Sequence, residues 1–209
     1  MCKHRKNISY FEMRAAAQFA RKAGEIGPES GPSYDDITVQ FVSAIVMAAS
    51  SLEAFINDVF LYVHMSILLQ DAVIKALWPL IEKEGILEKY LLAVKLSEQQ
   101  ALGKGTAGYQ NADTLIAMRN ALVHFKPEWD DEKNIHKKIE LRINRKFPLS
   151  RIAHGDCVFP DQCMSYGCAR WCVASALTSV DAFCTRTGIE NRYLIGGAHL
   201  DVSVPPAQS

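Results

Sequence analysis

One short stretch of the chain combines an arginine, an asparagine and a histidine, Arg119-Asn120-Ala121-Leu122-Val123-His124. Cleavage of RNA by its own 2′-hydroxyl needs a base for that proton, an acid for the leaving 5′-oxygen and positive charge near the phosphate. Histidine titrates in the range that suits proton transfer, and arginine offers a fixed fork of donors to a phosphate. An asparagine amide can orient either partner or hold a phosphate oxygen. The stretch therefore predicts metal-independent chemistry on an RNA phosphodiester, with Arg119, Asn120 and His124 as catalytic residues.

Helical geometry separates the arginine from the histidine. At about 100° per residue, His124 lies about 140° around a helix from Arg119, whereas Asn120 and His124 are four residues apart and share a face. One chain then supplies one imidazole, and we expect a second copy to supply the other across a homodimer. The simpler alternative is that Arg119 pairs with acidic surface groups and that His124 is an ordinary histidine at a helix end.

Apolar residues recur at helical spacing along much of the chain, and strand patterns are scarce. The pattern predicts helices over residues 10–22, 36–66, 67–93 in two pieces, 111–125 and 165–187. Residues 130–141 form either a short charged helix or an extended arm, and the glycines of residues 103–108 indicate a loop. We therefore expect an all-α bundle of four to five main helices with short extensions.

One domain accounts for most of the 209 residues. Residues 1–33 are predicted to be an N-terminal helix and loop of that domain, and residues 34–188 to be the helical bundle. Gly188 is well suited to end the last helix. Residues 189–209 form a C-terminal tail, which has no packing pattern from Gly196 onward, so we expect that part to be disordered.

Two polar residues, Glu53 and Asn57, interrupt the longest apolar helix one turn apart. A buried carboxylate needs a cation or hydrogen-bond donors wherever it lies. Either the two residues hydrogen-bond to a neighbouring helix as part of the core, or Glu53 supports the motif by orienting Arg119 or His124. The sequence leaves both interpretations open.

The pattern Arg-Asn-x-x-x-His at the end of an apolar helix resembles the motif of the HEPN superfamily of small helical-bundle proteins. Residues 48–57 resemble the long second helix of those domains, and residues 167–188 are similar to their late helix. Together these segments extend the resemblance over residues 34–188. The resemblance implies an up-and-down bundle that pairs with a second copy, so that both Arg/His motifs meet at the dimer interface.

Many HEPN domains are metal-independent endoribonucleases of defence or toxin–antitoxin systems, and others have lost catalysis and bind nucleotides or proteins. The resemblance implies that Arg119 and His124 are the catalytic pair. It sets Asn120 at the polar position after the arginine, and Glu53 where some members keep an acidic group. Toxin members that are silenced by nucleotide transfer carry a tyrosine two residues after the histidine, where this chain has Lys126. We expect single-stranded RNA as the substrate, with an antitoxin or a neighbouring defence protein as a further partner.

Charge is balanced overall, with 23 basic and 23 acidic residues, so the chain lacks the strongly basic composition of many nucleic-acid-binding proteins. Basic residues nevertheless dominate residues 133–151, soon after the motif. They either follow an RNA backbone or form a solvated surface that is balanced by the acidic residues just before them. The residues that would contact RNA are Lys126, Lys137, Lys138 and Arg142.

The apolar stretch of residues 41–63 contains serine, glutamate, asparagine and aspartate, which indicates a core helix rather than a membrane span. No apolar run of a secretory signal follows the basic N-terminus, so we expect a cytoplasmic protein without membrane contact. In that compartment the six cysteines are expected to be free thiols. Because Cys163, Cys168 and Cys172 contain no Cys-x-x-Cys pair, neither a metal ion nor another cofactor is expected.

Overall fold

The regular elements of the protein are helices. The computed structural model describes residues 7–26, 34–61, 71–97, 103–125, 135–150, 158–193 and 197–203. Within these ranges the helices are α1 (Ile8–Glu25), α2 (Tyr34–Leu61), α3 (Asp71–Ile81), α4 (Ile86–Leu96), α5 (Ala107–Val123), α6 (Ile135–Ile143), α7 (Tyr166–Thr187) and α8 (Gly197–Leu200). The described ranges contain no strand, and the predicted all-α class is confirmed.

Small residues allow α1 to pack closely on α2. Asn7 caps α1 by accepting a hydrogen bond from the Tyr10 N–H at 3.1 Å. The apolar residues buried on α1 recur at helical spacing and are Met13, Ala16, Ala17, Ala20 and Ala23. The alanines buried on α2 are Ala44, Ala48 and Ala49. Because these side chains are short, the two helices share the most extensive contact in the described part of the chain.

α2 is the central helix of the bundle, as its length and apolar composition predict. It contacts α1, α3, α4, α5 and α7. Residues Asp35–Leu61 are long and apolar enough to cross a membrane, with a mean hydropathy of 1.7. Half of that apolar stretch is buried inside the protein, so the helix serves as the core around which the others pack. The predicted end of this helix at residue 66 lies outside the described residues.

One predicted helix boundary is wrong, and one predicted break between two helices is confirmed. α5 begins at Ala107 rather than at residue 111, because the Thr106 hydroxyl caps it by accepting from the Tyr109 N–H at 3.4 Å. The predicted loop at 103–108 is therefore shorter, and Gly108 lies in the first turn of the helix. Residues 67–93 do contain two helices. The break between them falls at residues 82–85 and ends at Gly85, whereas Pro79 lies inside α3.

The last long helix is confirmed, but the prediction of a disordered tail is wrong for residues 197–203. α7 begins after Ser165 and ends at Gly188, whose φ of 72° is left-handed. In the tail, α8 buries Leu200, and the Arg21 guanidinium donates to the carbonyl oxygens of His199 and Asp201 at 3.2 and 2.6 Å. These hydrogen bonds engage backbone carbonyls, which a side-chain pattern does not reveal.

Candidate functional site

The Arg-Asn-x-x-x-His motif lies at the C-terminal end of α5. The helix ends at Val123, and His124 is the first residue beyond it, with φ −108° and ψ 37°. The His124 N–H still donates to the Asn120 carbonyl at 3.0 Å, which holds the histidine close to the last turn. Both side chains are exposed. The imidazole is therefore accessible at the C-terminal end of α5.

α5 and α6 form the two walls of an open cleft of about 380 Å³. α6 packs on the bundle through Ile139 and Ile143, which are four residues apart and buried. The described part of the predicted charged segment at 130–141 is thus a helix rather than an extended arm. The α5 wall is made of Ala117, Asn120, Ala121 and His124. The α6 wall is made of Ile135, His136, Lys138, Ile139 and Arg142.

Arg119 lies apart from this cleft, on the side of α5 that faces α2. Its Nη2 donates to Glu53 Oε2 at 3.2 Å, and its side chain is only 20% exposed. Its Nε is buried and has no hydrogen-bond partner among the described residues. The structure therefore divides the motif, since Asn120 and His124 share one cleft and Arg119 is held by the carboxylate of another helix.

Glu53 and Asn57 form hydrogen bonds with different helices. Glu53 contacts Arg119 of α5, and this contact fits both interpretations that the sequence left open. Asn57 instead accepts a hydrogen bond from Lys89 Nζ of α4 at 3.0 Å. Lys89 is only 1% exposed, and its ammonium lies 5.8 Å from the centre of the Trp78 ring. Asn57 is therefore a partner of a buried lysine within the core and lies away from the motif.

A second carboxylate, Glu12 of α1, lies near Glu53. Burial raises the pKa of Glu12 above its usual value of 4.5, and the negative charge of Glu53 raises it further. Glu12 Oε2 is buried and has no hydrogen-bond partner in the described part of the chain. The carboxylates of Glu12 and Glu53 thus lie close enough for their charges to repel. The sequence analysis did not identify Glu12, because nothing in its neighbourhood along α1 marks it as close to α2.

Only some of the residues that were predicted to contact RNA line the cleft. Lys138 and Arg142 line the cleft, and Lys137 is exposed on α6 outside its walls. Arg142 Nη1 lies 3.1 Å from Asp113 Oδ2, with both side chains about half exposed, so this pair adds little stability and leaves the guanidinium accessible. Lys126 lies outside the described residues.

His136 is a cleft residue that the sequence analysis missed. Its ring stacks on Phe125 with 5.6 Å between centroids and an interplanar angle of 22°, and it meets the Phe159 ring edge-on at 5.4 Å. A signal in the sequence was available. Ile135, Lys138, Ile139 and Arg142 recur at helical spacing and form one face of a helix next to His136. That face still required a partner helix, which the sequence did not specify.

The described cysteines are buried free thiols, as predicted. Cys163, Cys168, Cys172 and Cys184 form no disulfide. Burial raises the pKa of Cys163 and of Cys184 to about 12, so both are protonated at neutral pH. No group of three or more histidine, cysteine, aspartate or glutamate side chains is arranged to hold a metal ion in the ranges that the structure describes.

Comparison of the chain with protein-family models, with curated proteins and with solved structures gives no match. A function can therefore be inferred only from the chemistry of the cleft and from the Arg-Asn-x-x-x-His motif.

Proposed function

We propose that this chain is a HEPN-like endoribonuclease that cleaves single-stranded RNA without a metal ion. The observation that carries the proposal is the cleft between α5 and α6. Asn120 and His124 line one of its walls, and the cationic Lys138 and Arg142 line the other. An imidazole, an amide and two cations around an open cleft are suited to bind a phosphodiester and to move a proton at it.

Each group has a defined role in the reaction. The His124 imidazole takes the proton of the 2′-hydroxyl or gives one to the 5′-oxygen, and the Asn120 amide holds a phosphate oxygen. Lys138 and Arg142 balance the charge that grows on the phosphate. The O2′–P bond forms as the P–O5′ bond breaks, which leaves a 2′,3′-cyclic phosphate and a 5′-hydroxyl. The proton lost from the 2′-oxygen is matched by the proton gained at the 5′-oxygen.

We further propose a cytoplasmic homodimer in which the motifs of two copies meet, in a defence or toxin–antitoxin setting. Val123 and Phe125 support this arrangement, because they flank His124 and are 53% and 50% exposed, which is typical of an interface for another apolar surface. Arg119, held by Glu53 at the side of α5, then contributes positive charge to RNA that lies across the two copies. An antitoxin or a neighbouring defence protein would cover the same cleft.

A binding module without turnover is the second candidate function. The observation in its favour is the Arg119–Glu53 contact at 3.2 Å, because a carboxylate that neutralises the arginine reduces its hold on a phosphate. The same cleft would then bind a nucleotide or a partner protein. Wild-type protein that binds single-stranded RNA but does not cleave it in any buffer would favour this second function.

Single substitutions test the enzyme. We expect Arg119→Ala and His124→Ala each to reduce RNA cleavage by about 100-fold or more while leaving the helical content unchanged. His199→Ala is the matched control, because His199 is an exposed histidine on α8, outside the cleft walls. Cleavage rates are measured with labelled RNA, and folding is checked by circular dichroism. Full activity in either variant would refute the assignment of that residue.

A further inference from the structure

Two histidines of one chain share the cleft. His124 lies at the end of the α5 wall, and His136 lies in the first turn of the α6 wall. The expectation from the motif alone is one imidazole per chain, with the second supplied by another copy. The cleft changes that expectation, because an acid and a base for the same phosphodiester can both come from the chain that binds it.

The His136 ring is held in place by its surroundings. Phe125 stacks on one side of it, and Phe159 meets it edge-on. Glu140 Oε1 accepts hydrogen bonds from the N–H groups of Val158 and Phe159, at 3.1 Å each, and so ties the segment that carries the Phe159 ring to α6. An imidazole that is fixed by aromatic contacts loses little freedom when substrate binds, which is an advantage for a proton-transfer group.

We propose that His136 is the second catalytic residue of the ribonuclease, and that His124 and His136 of the same chain act as its general base and general acid. This inference rests on the proposed function and sharpens it. The second copy of a dimer is then not needed for proton transfer. Its contribution is limited to shaping the RNA path and to the positive charge of Arg119.

The protons balance within the cleft. One histidine, in its neutral form, takes the proton of the 2′-hydroxyl as the O2′–P bond forms. The other, in its protonated form, gives its proton to the 5′-oxygen as the P–O5′ bond breaks. After the cyclic phosphate leaves, proton exchange with water returns both histidines to their starting states.

Among the described residues, the charged groups of the cleft walls lie on α6. Lys138 and Arg142 lie on the α6 wall, and Arg142 is paired with Asp113 of α5 at 3.1 Å. Glu140 lies one turn after His136 on α6, with Oε1 bonded to two backbone N–H groups. Because the reaction needs one deprotonated base and one protonated acid, a bell-shaped pH–rate profile is expected.

The replacement His136→Phe tests the proposal, because it keeps a ring for the contacts with Phe125 and Phe159 and removes both nitrogen atoms. We expect single-turnover cleavage to fall by about 100-fold or more and one limb of the pH–rate profile to disappear. His136→Gln, which keeps polar atoms, should show the same loss. His199→Phe is the control and should cleave at the wild-type rate. Wild-type activity in His136→Phe, alongside loss in His124→Ala, would overturn this inference and leave the proposed function intact.

A mixing experiment shows whether the two histidines act within one chain. If they do, a mixture of the His124→Ala and His136→Phe proteins stays inactive, because each chain lacks one group. Recovery of activity on mixing would overturn the single-chain arrangement, since it requires a site composed from two copies. Wild-type protein that cleaves no single-stranded RNA would refute the proposed function, and the catalytic role of His136 with it.

Discussion

Arg119 and His124 are five residues apart in the chain, but they take part in different interactions. His124 and Asn120 line the cleft between α5 and α6, whereas the Arg119 guanidinium contacts Glu53 at 3.2 Å. Because the carboxylate is 44% exposed, the pair contributes only about 1 kcal/mol or less to folding. Glu53 therefore holds the Arg119 guanidinium on the side of α5 that faces α2, and it adds little to the stability of the bundle.

Glu12 makes folding depend on pH in a direction that can be tested. Burial and, after it, Glu53 raise the Glu12 pKa above 4.5 in the folded protein. A carboxyl with a raised folded pKa contributes stability that is fully present below the unfolded pKa and is lost as the pH rises through the folded pKa. The Glu12 carboxyl thus lowers the free energy of unfolding as the pH rises above 4.5. We therefore expect Glu12→Gln to raise the free energy of unfolding at pH 7 and to remove part of its decrease above pH 4.5.

Urea denaturation at pH 4 and pH 7 measures this effect. Glu25→Gln is the control, because Glu25 is an exposed glutamate on the same helix. If Glu12→Gln and the wild-type protein show the same pH dependence, the environment assigned to Glu12 is wrong.

The residues of the cleft could be predicted from the sequence only in part. The shared face of Asn120 and His124 follows from their spacing of four residues, and Lys138 and Arg142 follow from the local excess of basic residues. His136 could not be predicted as their partner, because its place depends on how α6 docks on α5. Glu12 and Lys89 were missed for the same reason, since their neighbours lie on other helices.

The two ends of α7 show why some helix boundaries can be predicted from a sequence. Ser165 accepts from the Cys168 N–H at 3.1 Å, and Gly188 supplies the left-handed residue that ends the helix, so both boundaries carry a chemical signal. The start of α5 is harder to predict from the sequence. Gly108 suggests a loop, although Thr106 caps the helix two residues earlier. The side chains of α8 form no pattern that predicts a helix, and Arg21 holds this segment through its backbone carbonyls.

Two glycine-to-alanine substitutions are expected to have opposite effects. Gly188 has φ 72°, and an added Cβ would meet nothing within 4 Å, so Gly188→Ala isolates the strain of a left-handed alanine, about 1–2 kcal/mol of destabilisation. Gly108 lies in α5, and its added Cβ also meets nothing within 4 Å, so Gly108→Ala should stabilise by up to about 1 kcal/mol. Thermal unfolding compares the two variants. The same sign for both would contradict the assigned helix boundaries.

At the scale of the whole molecule, an aromatic cluster joins α2, α4 and α7. Phe183 meets Phe55 and Tyr90 edge-on, at 6.2 and 4.9 Å between ring centroids. The Tyr90 and Tyr193 hydroxyls donate to the Leu52 and Ser51 carbonyls of α2 at 3.0 and 3.2 Å. The core thus fixes the helices on which the α5–α6 cleft is built.

Loss of the central ring should threaten the whole fold. Phe183 is fully buried, so Phe183→Ala removes a large apolar side chain and leaves a cavity, at a cost of about 3–5 kcal/mol. Phe11, which is 51% exposed on α1, provides the control, and Phe11→Ala should change stability by less than about 1 kcal/mol. Denaturant titration gives both values. Equal effects would show that the cluster is not central to the bundle.

The chemistry of the cleaved RNA ends tests the central claim most directly. Wild-type protein is incubated with a mixture of single-stranded RNAs in a metal chelator, and the products are analysed by mass spectrometry. The proposed reaction yields fragments with 2′,3′-cyclic phosphates and 5′-hydroxyls, and His124→Ala yields none above background. Intact RNA with the wild-type protein, or the same cleaved ends with His124→Ala, would contradict the account.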